Sequence, residues 1–378
     1  MIKITAPYTH IAVFGLGITG VEAVRALRAG GVKVTAWDDD EKKCKVAADL
    51  GAVIQELIPM PEGVEALVLS PGVPLTHPAP HKVVTVAEEA SIPIIGDMEL
   101  FQIARTSFPA LSQVIAITGT NGKSTTAALT AHLLAESGMN VELGGNIGQS
   151  VLALSPAEEN TIYVLELSSY QIDLSPRFSP DIAVLLNLSP DHLDRHGSMQ
   201  GYIQAKWQMF ENLLPGSTAI IGIDGSDEIN LAEIAETNDA IVSVRISGQA
   251  EKSAKVFCQD GWLCDQEGPI VDLSCIATLQ GAHNGQNAAA AYVAALSAGA
   301  ARDDVIRAFA SFQGLAHRMQ PVGEIISEDC EVLFVNDSKA TNAEASAHAL
   351  ATYEKIYWIA GGISKEGGID RLSPYFDR

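Results

Sequence analysis

Short apolar runs alternate with amphipathic stretches along the first part of the chain. The pattern predicts strands at residues 10–15 and 32–37 and a helix at residues 21–29 between them. A further apolar run at residues 66–70 predicts another strand, which ends in a Ser-Pro-Gly turn. Because strands that alternate with helices pair in parallel, residues 1–103 are expected to form an α/β domain around a parallel sheet.

The central part of the chain, residues 104–313, continues this alternation. An alanine-rich helix is predicted at residues 284–298, and its polar positions argue against a membrane span. Four apolar runs are predicted as strands: residues 161–167, 182–188, 219–223 and 241–246. The sequence therefore predicts a second and larger parallel-sheet domain.

A third α/β unit is predicted over residues 314–378. Apolar runs at residues 331–335 and 355–360 are predicted as strands. Roughly 65 residues remain for this unit, whereas a typical domain has about 100 to 150. We therefore expect a partial domain.

The strongest local signal lies at residues 114–126, where a β-branched apolar run ends at a turn and a helix begins with Lys-Ser-Thr. Strand, glycine-bounded loop and helix are the context of a phosphate-binding loop, whose N–H groups converge on phosphate oxygens. The loop is a short variant between Gly119 and Gly122, because the first glycine of the usual pattern is missing. Lys123 is expected to reach the β- and γ-phosphates and Ser124 to face a magnesium ion, which predicts an ATP site.

A second glycine motif, at residues 15–20, has the spacing Gly-x-Gly-x-x-Gly between a predicted strand and a predicted helix, and Asp38 follows it. Three interpretations stay open from the residues alone. The motif is an NAD site, a loop for the diphosphate of another nucleotide, or a turn whose glycines allow close packing.

Charged residues follow two predicted strands of the central domain. Glu166 ends one strand, where metal ligation is favoured over a paired core carboxylate because an unpaired buried charge is costly. Residues 191–196 follow another strand and are expected to line the same cleft, with a surface cluster as the alternative. For Lys206, composition alone predicts a solvated side chain on a helix.

Two loops of the third unit, residues 314–318 and 336–342, carry charged, hydroxyl and amide groups suited to closing over a nucleotide. A helix N-cap at Asp337 or Ser338 is an equally good interpretation.

The bulk composition excludes several classes of protein. The 378 residues carry 24 Lys and Arg against 46 Asp and Glu, a net charge of −22, which argues against nucleic-acid partners and anionic membrane surfaces. The first residues lack the pattern of a signal peptide, and no apolar stretch is long enough to insert into a membrane. Five cysteines without a Cys-x-x-Cys pair indicate reduced thiols in a cytoplasmic protein.

Taken in order along the chain, these motifs resemble the Mur ligases, the ATP-dependent amide-forming enzymes of peptidoglycan precursor synthesis. The strings Glu-Leu-Ser-Ser-Tyr-Gln and Asn-Asp-Ser-Lys-Ala-Thr-Asn favour the branch that adds D-glutamate to UDP-MurNAc-L-alanine. The resemblance runs from about residue 10 to residue 367 and rests on residues 15–20, 70–72, 96–101, 119–125, 145–148, 165–171, 191–195, 283–284, 314–318, 336–342 and 361–362.

The resemblance implies a three-domain α/β fold. A Rossmann-like domain at residues 1–103 would bind the UDP substrate, a P-loop ATPase-like parallel sheet at residues 104–313 would bind ATP, and residues 314–378 would form a truncated Rossmann-like ligase domain. It implies a cytoplasmic monomer that uses ATP, Mg²⁺, UDP-MurNAc-L-alanine and D-glutamate and proceeds through an acyl phosphate. A C-terminally truncated, non-catalytic nucleotide-binding relative stays open as the alternative, and a nicotinamide oxidoreductase is a third class.

The resemblance also implies roles for individual residues. Contacts with the UDP substrate would come from Ile18, Thr19, Asp38, Ser70, Gly72 and Asn146. ATP would be bound by Gly119, Thr120, Asn121, Gly122, Lys123, Ser124, Thr125, Asn284, Asn287, Arg318, Asp337 and Lys339. Magnesium would be held by Ser124, Glu166, His192 and Lys206, the last as a carbamate formed with CO₂. The catalytic residues would be Lys123, His192, Lys206 and Lys365, with His192 and Lys365 near the incoming amino acid.

Overall fold

The computed structural model describes residues 1–5, 7–109, 112–327, 331–340, 343–362 and 368–377. These residues form three sheets in chain order, and helices flank the first two. No helix in these ranges is long and apolar enough to cross a bilayer.

The first sheet has five parallel strands in the order β3-β2-β1-β4-β5. The predicted strands and helix are confirmed, although the first helix begins directly after the second glycine of the Gly-x-Gly-x-x-Gly motif. The strands are β1 (His10–Phe14), β2 (Lys33–Trp37), β3 (Val53–Ile54), β4 (Ala66–Leu69) and β5 (Ile94–Ile95). The helices are α1 (Ile18–Ala29), α2 (Glu41–Asp49), α3 (Lys82–Glu89) and α4 (Asp97–Arg105).

The second sheet has nine strands in the order β14-β13-β12-β11-β10-β9-β6-β8-β7. It is parallel from β7 to β12 and ends in two antiparallel pairings, so the predicted parallel sheet is confirmed for its larger part. The strands are β6 (Gln113–Thr118), β7 (Val141–Gly145), β8 (Ile162–Glu166), β9 (Ile182–Leu185), β10 (Thr218–Gly222), β11 (Val242–Ser247), β12 (Val256–Gln259), β13 (Trp262–Asp265) and β14 (Gly268–Asp272).

Seven helices accompany the second sheet. They are α5 (Lys123–Glu136), α6 (Ser169–Asp173), α7 (Leu193–His196), α8 (Met199–Glu211), α9 (Ser226–Glu236), α10 (Ala282–Ser297) and α11 (Arg302–Ala308). Helix α10 is the predicted alanine-rich helix, and it packs against α5 on one face of the sheet because its small side chains allow a close approach.

The third sheet is an antiparallel pair, β15 (Gln320–Ile326) and β16 (Glu331–Asn336), followed by helix α12 (Ala343–Thr352). Strand β16 confirms the prediction at residues 331–335, whereas β15 was not predicted. The strand predicted at residues 355–360 is wrong: this segment is irregular, and Tyr357 and Ile359 are each 97% exposed. An apolar run becomes a strand only where a neighbouring strand supplies backbone partners, and none of the described strands pairs with this segment.

Helix α4 joins the first two sheets through a shared apolar core. The ring of Phe101 lies edge-on to Tyr163 of β8, with 5.3 Å between centroids, and both side chains are fully buried. Such contacts hold the two parallel sheets together through their shared core, and open α/β sheets bind their ligands at the carboxyl ends of their strands.

A buried carboxyl group lies at the same junction. Asp97, the first residue of α4, accepts a hydrogen bond at Oδ2 from Gln171 Nε2 of α6 at 3.3 Å. Its Oδ1 has no hydrogen-bond partner among the described residues, and burial raises the pKa of Asp97 to about 6. Folding therefore shifts the protonation equilibrium of Asp97 towards its neutral form.

We expect Asp97→Asn to change how stability depends on pH. A raised pKa means that the folded wild type holds a proton that the unfolded chain has already released, so its stability falls as pH rises through about 4 to 6. An amide does not ionise. The free energy of unfolding of the variant, measured relative to that of wild type, should therefore rise by about 1.4 kcal/mol between pH 5 and pH 8. Urea unfolding of both proteins at pH 5 and pH 8 measures this change. The prediction would be contradicted if the variant and wild type differed in unfolding free energy by the same amount at both pH values.

Candidate functional site

The phosphate loop runs from the end of β6 to the start of α5. Gly122 has a φ of +81°, and a Cβ at this position would lie 2.2 Å from Asn287 Oδ1 of α10. Both the backbone conformation and the space therefore require glycine. The loop ends directly at Lys123, the first residue of α5, so the helix N-terminus faces the loop as the sequence predicts.

The loop backbone is held by a residue that sequence analysis did not single out. Asn187, which follows β9, accepts hydrogen bonds from the N–H groups of Thr120 at its main-chain oxygen and Asn121 at its Oδ1, both at 2.8 Å. Its own amide donates to Gln286 Oε1 of α10 at 2.8 Å, and Gln286 in turn donates to Asp224. Elements far apart in sequence thus hold the loop in place, and no local pattern marks these residues.

Two lysines converge on the same loop carbonyl. The Nζ of Lys123 donates to the carbonyl oxygens of Gly119 at 3.0 Å and Thr120 at 2.7 Å. The Nζ of Lys206, from α8, donates to the same Gly119 oxygen at 2.9 Å and lies near the hydroxyl of Thr118 at 3.3 Å. Lys206 is only 2% exposed, so the prediction of a solvated lysine from composition is wrong.

Burial changes the protonation of both lysines. The pKa of Lys206 lies well below its ordinary value, chiefly because burial disfavours the charged ammonium and also because Lys123 repels it. Burial lowers the pKa of Lys123 as well, and the nearby carboxylates of Glu166 and Asp191 oppose that shift. Burial therefore favours the neutral amine at both lysines.

Glu166 ends β8 next to the phosphate loop and is 2% exposed. Its Oε1 accepts a hydrogen bond from Asn146 Nδ2 at 2.9 Å, while its Oε2 has no partner in the part of the chain that the structure describes. A buried carboxylate oxygen without a partner is costly, so this atom is free to take a cation.

His192 lies at the N-terminus of α7 in a left-handed conformation, with φ +53°. Its Nε2 is 3.4 Å from Asp191 Oδ2, and its ring is 5.0 Å from that of Tyr170. Burial lowers the pKa of His192, and the positive charges of Lys123 and Lys206 lower it further. Within the described ranges no three His, Cys, Asp or Glu side chains form a ready metal-binding group.

The third unit reaches the phosphate loop through Arg318, whose Nη2 donates to Ser124 Oγ at 3.0 Å. In α10, Asn287 accepts a hydrogen bond from Thr126 at 3.1 Å and donates to Asn284 at 3.0 Å. A cavity of about 80 Å³ lies between these elements, and seven of the predicted ATP residues line it: Asn121, Gly122, Thr125, Asn284, Asn287, Arg318 and Asp337.

The remaining predicted residues of the third unit have different positions. Asp337 accepts a hydrogen bond from the Met319 N–H at 3.0 Å, and Lys339 is exposed. Helix α12 begins at Ala343, so the alternative of a helix N-cap at Asp337 or Ser338 is wrong. Lys365 lies outside the described residues.

The Gly-x-Gly-x-x-Gly loop of the first unit is closed by its own acidic residue. Asp38 Oδ2 accepts a hydrogen bond from Leu16 N–H at 2.6 Å, and its Oδ1 accepts one from Asp40 N–H at 2.9 Å. Hydrogen bonds from these backbone groups and the charge of Lys43 outweigh burial, so the pKa of Asp38 is lowered. Ile18 at the start of α1 is 82% exposed and Thr19 is half-buried, so both are open to a ligand.

A larger cavity, of about 290 Å³, lies away from this site, between the N-terminal segment and the end of α4. Thr5, Pro7 and Ile103 are among its lining residues, and none of the predicted site residues reaches it. Because no predicted site residue lines this cavity, we do not assign the functional site to it, although it is the larger of the two.

Comparison with known sequences gives consistent matches. Residues 117–295 match the Mur ligase middle domain family. A UDP-N-acetylmuramoylalanine--D-glutamate ligase of Rhizobium etli is 49% identical over 374 residues, which are 97% of this chain and 78% of that protein. A protein of the same name from Caulobacter vibrioides is 48% identical over 377 residues, with 97% and 79% covered.

Solved structures share the fold at lower identity. UDP-N-acetylmuramate-alanine ligase MurC from Thermotoga maritima superimposes with a TM-score of 0.55 at 18% identity, covering 91% of this chain and 77% of that one. A UDP-N-acetylmuramate:L-alanyl-gamma-D-glutamyl-meso-diaminopimelate ligase from Neisseria meningitides gives a TM-score of 0.55 at 16% identity, covering 82% and 99%.

Proposed function

The chain belongs to the Mur ligase family, and on this premise we propose that it joins D-glutamate to UDP-N-acetylmuramoyl-L-alanine with the conversion of ATP to ADP and phosphate. The observation that carries the proposal is the 49% identity to a D-glutamate ligase across 97% of the chain. The product is a peptidoglycan precursor. We further propose that the protein acts as a monomer in the cytoplasm, where ATP is supplied.

The proposed reaction has two steps. The carboxylate of the UDP substrate attacks the γ-phosphorus of ATP, which releases ADP and forms an acyl phosphate. The amine of D-glutamate then attacks the acyl carbon, loses a proton and displaces phosphate to leave an amide. No protein nucleophile is needed, so the residues act by positioning the reactants and neutralising charge.

The residues around the phosphate loop suit these tasks. Lys123 and the N-terminus of α5 are proposed to face the ATP phosphates, where negative charge accumulates during transfer. Arg318 already bridges the third unit to α5 through Ser124, so it can follow the phosphates as the units close over ATP. His192 and Lys365 are proposed to lie near the incoming amino acid.

Mg²⁺ is proposed to sit beside Glu166, whose unpartnered Oε2 supplies the oxygen ligand that this ion prefers. Lys206 as an ammonium would repel a cation, but its neutral amine can add to CO₂ and lose a proton to give an anionic carbamate. Its lowered pKa favours the neutral amine that this addition requires. The carbamate would then supply a second carboxylate-like ligand beside Ser124 and His192, and the bound ion would neutralise phosphate charge.

The proposed function is tested by measuring phosphate release with ATP, Mg²⁺ and UDP-MurNAc-L-alanine, with and without D-glutamate. We expect release that depends on D-glutamate, together with a product whose mass is that of the amide. Tight binding of ATP and the UDP substrate by calorimetry without any release would contradict the ligase activity and favour a nucleotide-binding protein without catalysis.

A further inference from the structure

Arg195 of α7 reaches across to the Ser-Pro-Gly turn of the first unit. Its Nη2 donates to the carbonyl oxygens of Pro71 at 3.1 Å and Val73 at 2.9 Å, and its Nη1 lies 3.5 Å from that of Gly72. Its Cζ lies 4.7 Å from the centre of the Tyr170 ring. Because a guanidinium is planar and its N–H groups are rigidly arranged, these contacts set the orientation of three consecutive peptides.

The other side of this turn packs on the Gly-x-Gly-x-x-Gly loop. Ser70 Oγ donates to the carbonyl oxygen of Gly15 at 2.6 Å, and a Cβ on Gly15 would lie 2.8 Å from Ser70 Cβ. The turn therefore lies between that loop and Arg195. A trans peptide places its N–H opposite its carbonyl, so holding the Pro71 oxygen directs the Gly72 N–H away from the guanidinium.

Arg195 is also tied to the phosphate-loop side of the cleft. Its N–H donates to the carbonyl oxygen of His192 at 3.0 Å within α7. The Tyr170 ring beneath its guanidinium is the same ring that lies 5.0 Å from the imidazole of His192. One side chain thus connects the turn of the first unit to the helix that carries His192.

We propose that Arg195 is a positioning residue. It directs the Gly72 N–H towards the diphosphate of the UDP substrate and fixes the position of this turn relative to His192. The inference rests on the proposed ligase function. The positive charge of Arg195 polarises the Pro71–Gly72 peptide, whose carbonyl it binds, and this strengthens the Gly72 N–H as a donor to an anion. The described hydrogen bonds of Arg195 go to the turn and to α7 and not to the phosphate loop, so its effect should be confined to the UDP substrate and to turnover.

The test is the kinetics of Arg195→Ala. Loss of hydrogen bonds to a charged group should raise the KM for UDP-MurNAc-L-alanine at least about tenfold and lower kcat, while the Kd for an ATP analogue stays within about twofold. Methylguanidinium added to the alanine variant should restore part of the activity. Arg195→Lys should not restore it, because an ammonium lacks the planar arrangement of donors.

Arg245→Ala serves as the control, since this arginine of β11 pairs with Glu236 at the end of α9. It should leave the KM for UDP-MurNAc-L-alanine and the Kd for the ATP analogue unchanged. If Arg195→Ala does not fold, Tyr170→Leu removes the ring beneath the guanidinium and should raise the same KM selectively.

The outcomes separate the two hypotheses. Absence of D-glutamate-dependent phosphate release in the unaltered chain counts against the proposed function. Turnover in the unaltered chain, with an unchanged UDP-substrate KM in the folded Arg195→Ala variant, overturns the role of Arg195 alone. Equal losses of ATP and UDP-substrate affinity in that variant, without rescue by methylguanidinium, also overturn it, because they indicate a general structural defect.

Discussion

Lys123→Ala is expected to abolish D-glutamate-dependent phosphate release, with kcat lowered at least about a thousandfold. The Nζ of Lys123 lies within hydrogen-bonding distance of two phosphate-loop carbonyls at the start of α5. When ATP binds, this cation is the charge placed to neutralise the transferring phosphate. The fold should persist, because Asn187 holds the loop independently of the lysine through the N–H groups of Thr120 and Asn121.

The control is Lys82→Ala, which removes an exposed lysine from the same first position of helix α3. It should keep wild-type phosphate release. Circular dichroism and thermal unfolding check that both variants fold. Phosphate release by Lys123→Ala at the wild-type rate would contradict the assignment of this loop to ATP.

Lys206→Ala is expected to lose most of the activity, and added bicarbonate should not restore it. The side chain is buried beside the phosphate loop, and burial holds its pKa well below the ordinary value, which favours the neutral amine that reacts with CO₂. Alanine has no amine to carbamylate, so the proposed second anionic ligand for magnesium is lost. The Mg²⁺ concentration needed for half-maximal residual activity should rise accordingly.

Carbon NMR of the protein equilibrated with ¹³C-labelled bicarbonate gives a readout independent of activity. Wild type should show a carbamate signal that is missing from Lys206→Ala. Gln204→Ala on the exposed side of the same helix is the control and should keep both the signal and the activity. Full activity in Lys206→Ala, or no carbamate signal in wild type, would contradict the carbamate hypothesis.

The parts of the fold that sequence predicts well are those set by local pattern. The β-branched run before Gly119 and the helix that begins at Lys123 follow from side chains adjacent in the chain, and both form as expected. The segment at residues 355–360 shows the limit of such patterns. Its apolar run suits a strand, but the described part of the third unit offers it no strand to pair with.

The candidate site also combines residues that local sequence patterns predict with residues that only tertiary contacts bring together. The spacing of glycines, Lys123 and Ser124 indicates a phosphate loop without any structure. The residues next to Lys206 in the sequence do not distinguish it from a solvated lysine. Its burial arises because α8 packs against a loop that lies more than eighty positions earlier in the chain. Asn187 is likewise an ordinary asparagine until β9 brings it against the phosphate loop.

The sequence by itself therefore determined the α/β class, the phosphate loop and the resemblance to the Mur ligases, because these depend on residue types at short fixed spacings. Only the tertiary structure decided which groups meet: two lysines on one carbonyl, an unpartnered oxygen on Glu166, and Arg195 on the turn of the first unit. Protonation and hydrogen-bonding depend on burial and on distances between segments, and these arise only when parallel strands bring their carboxyl ends to one edge.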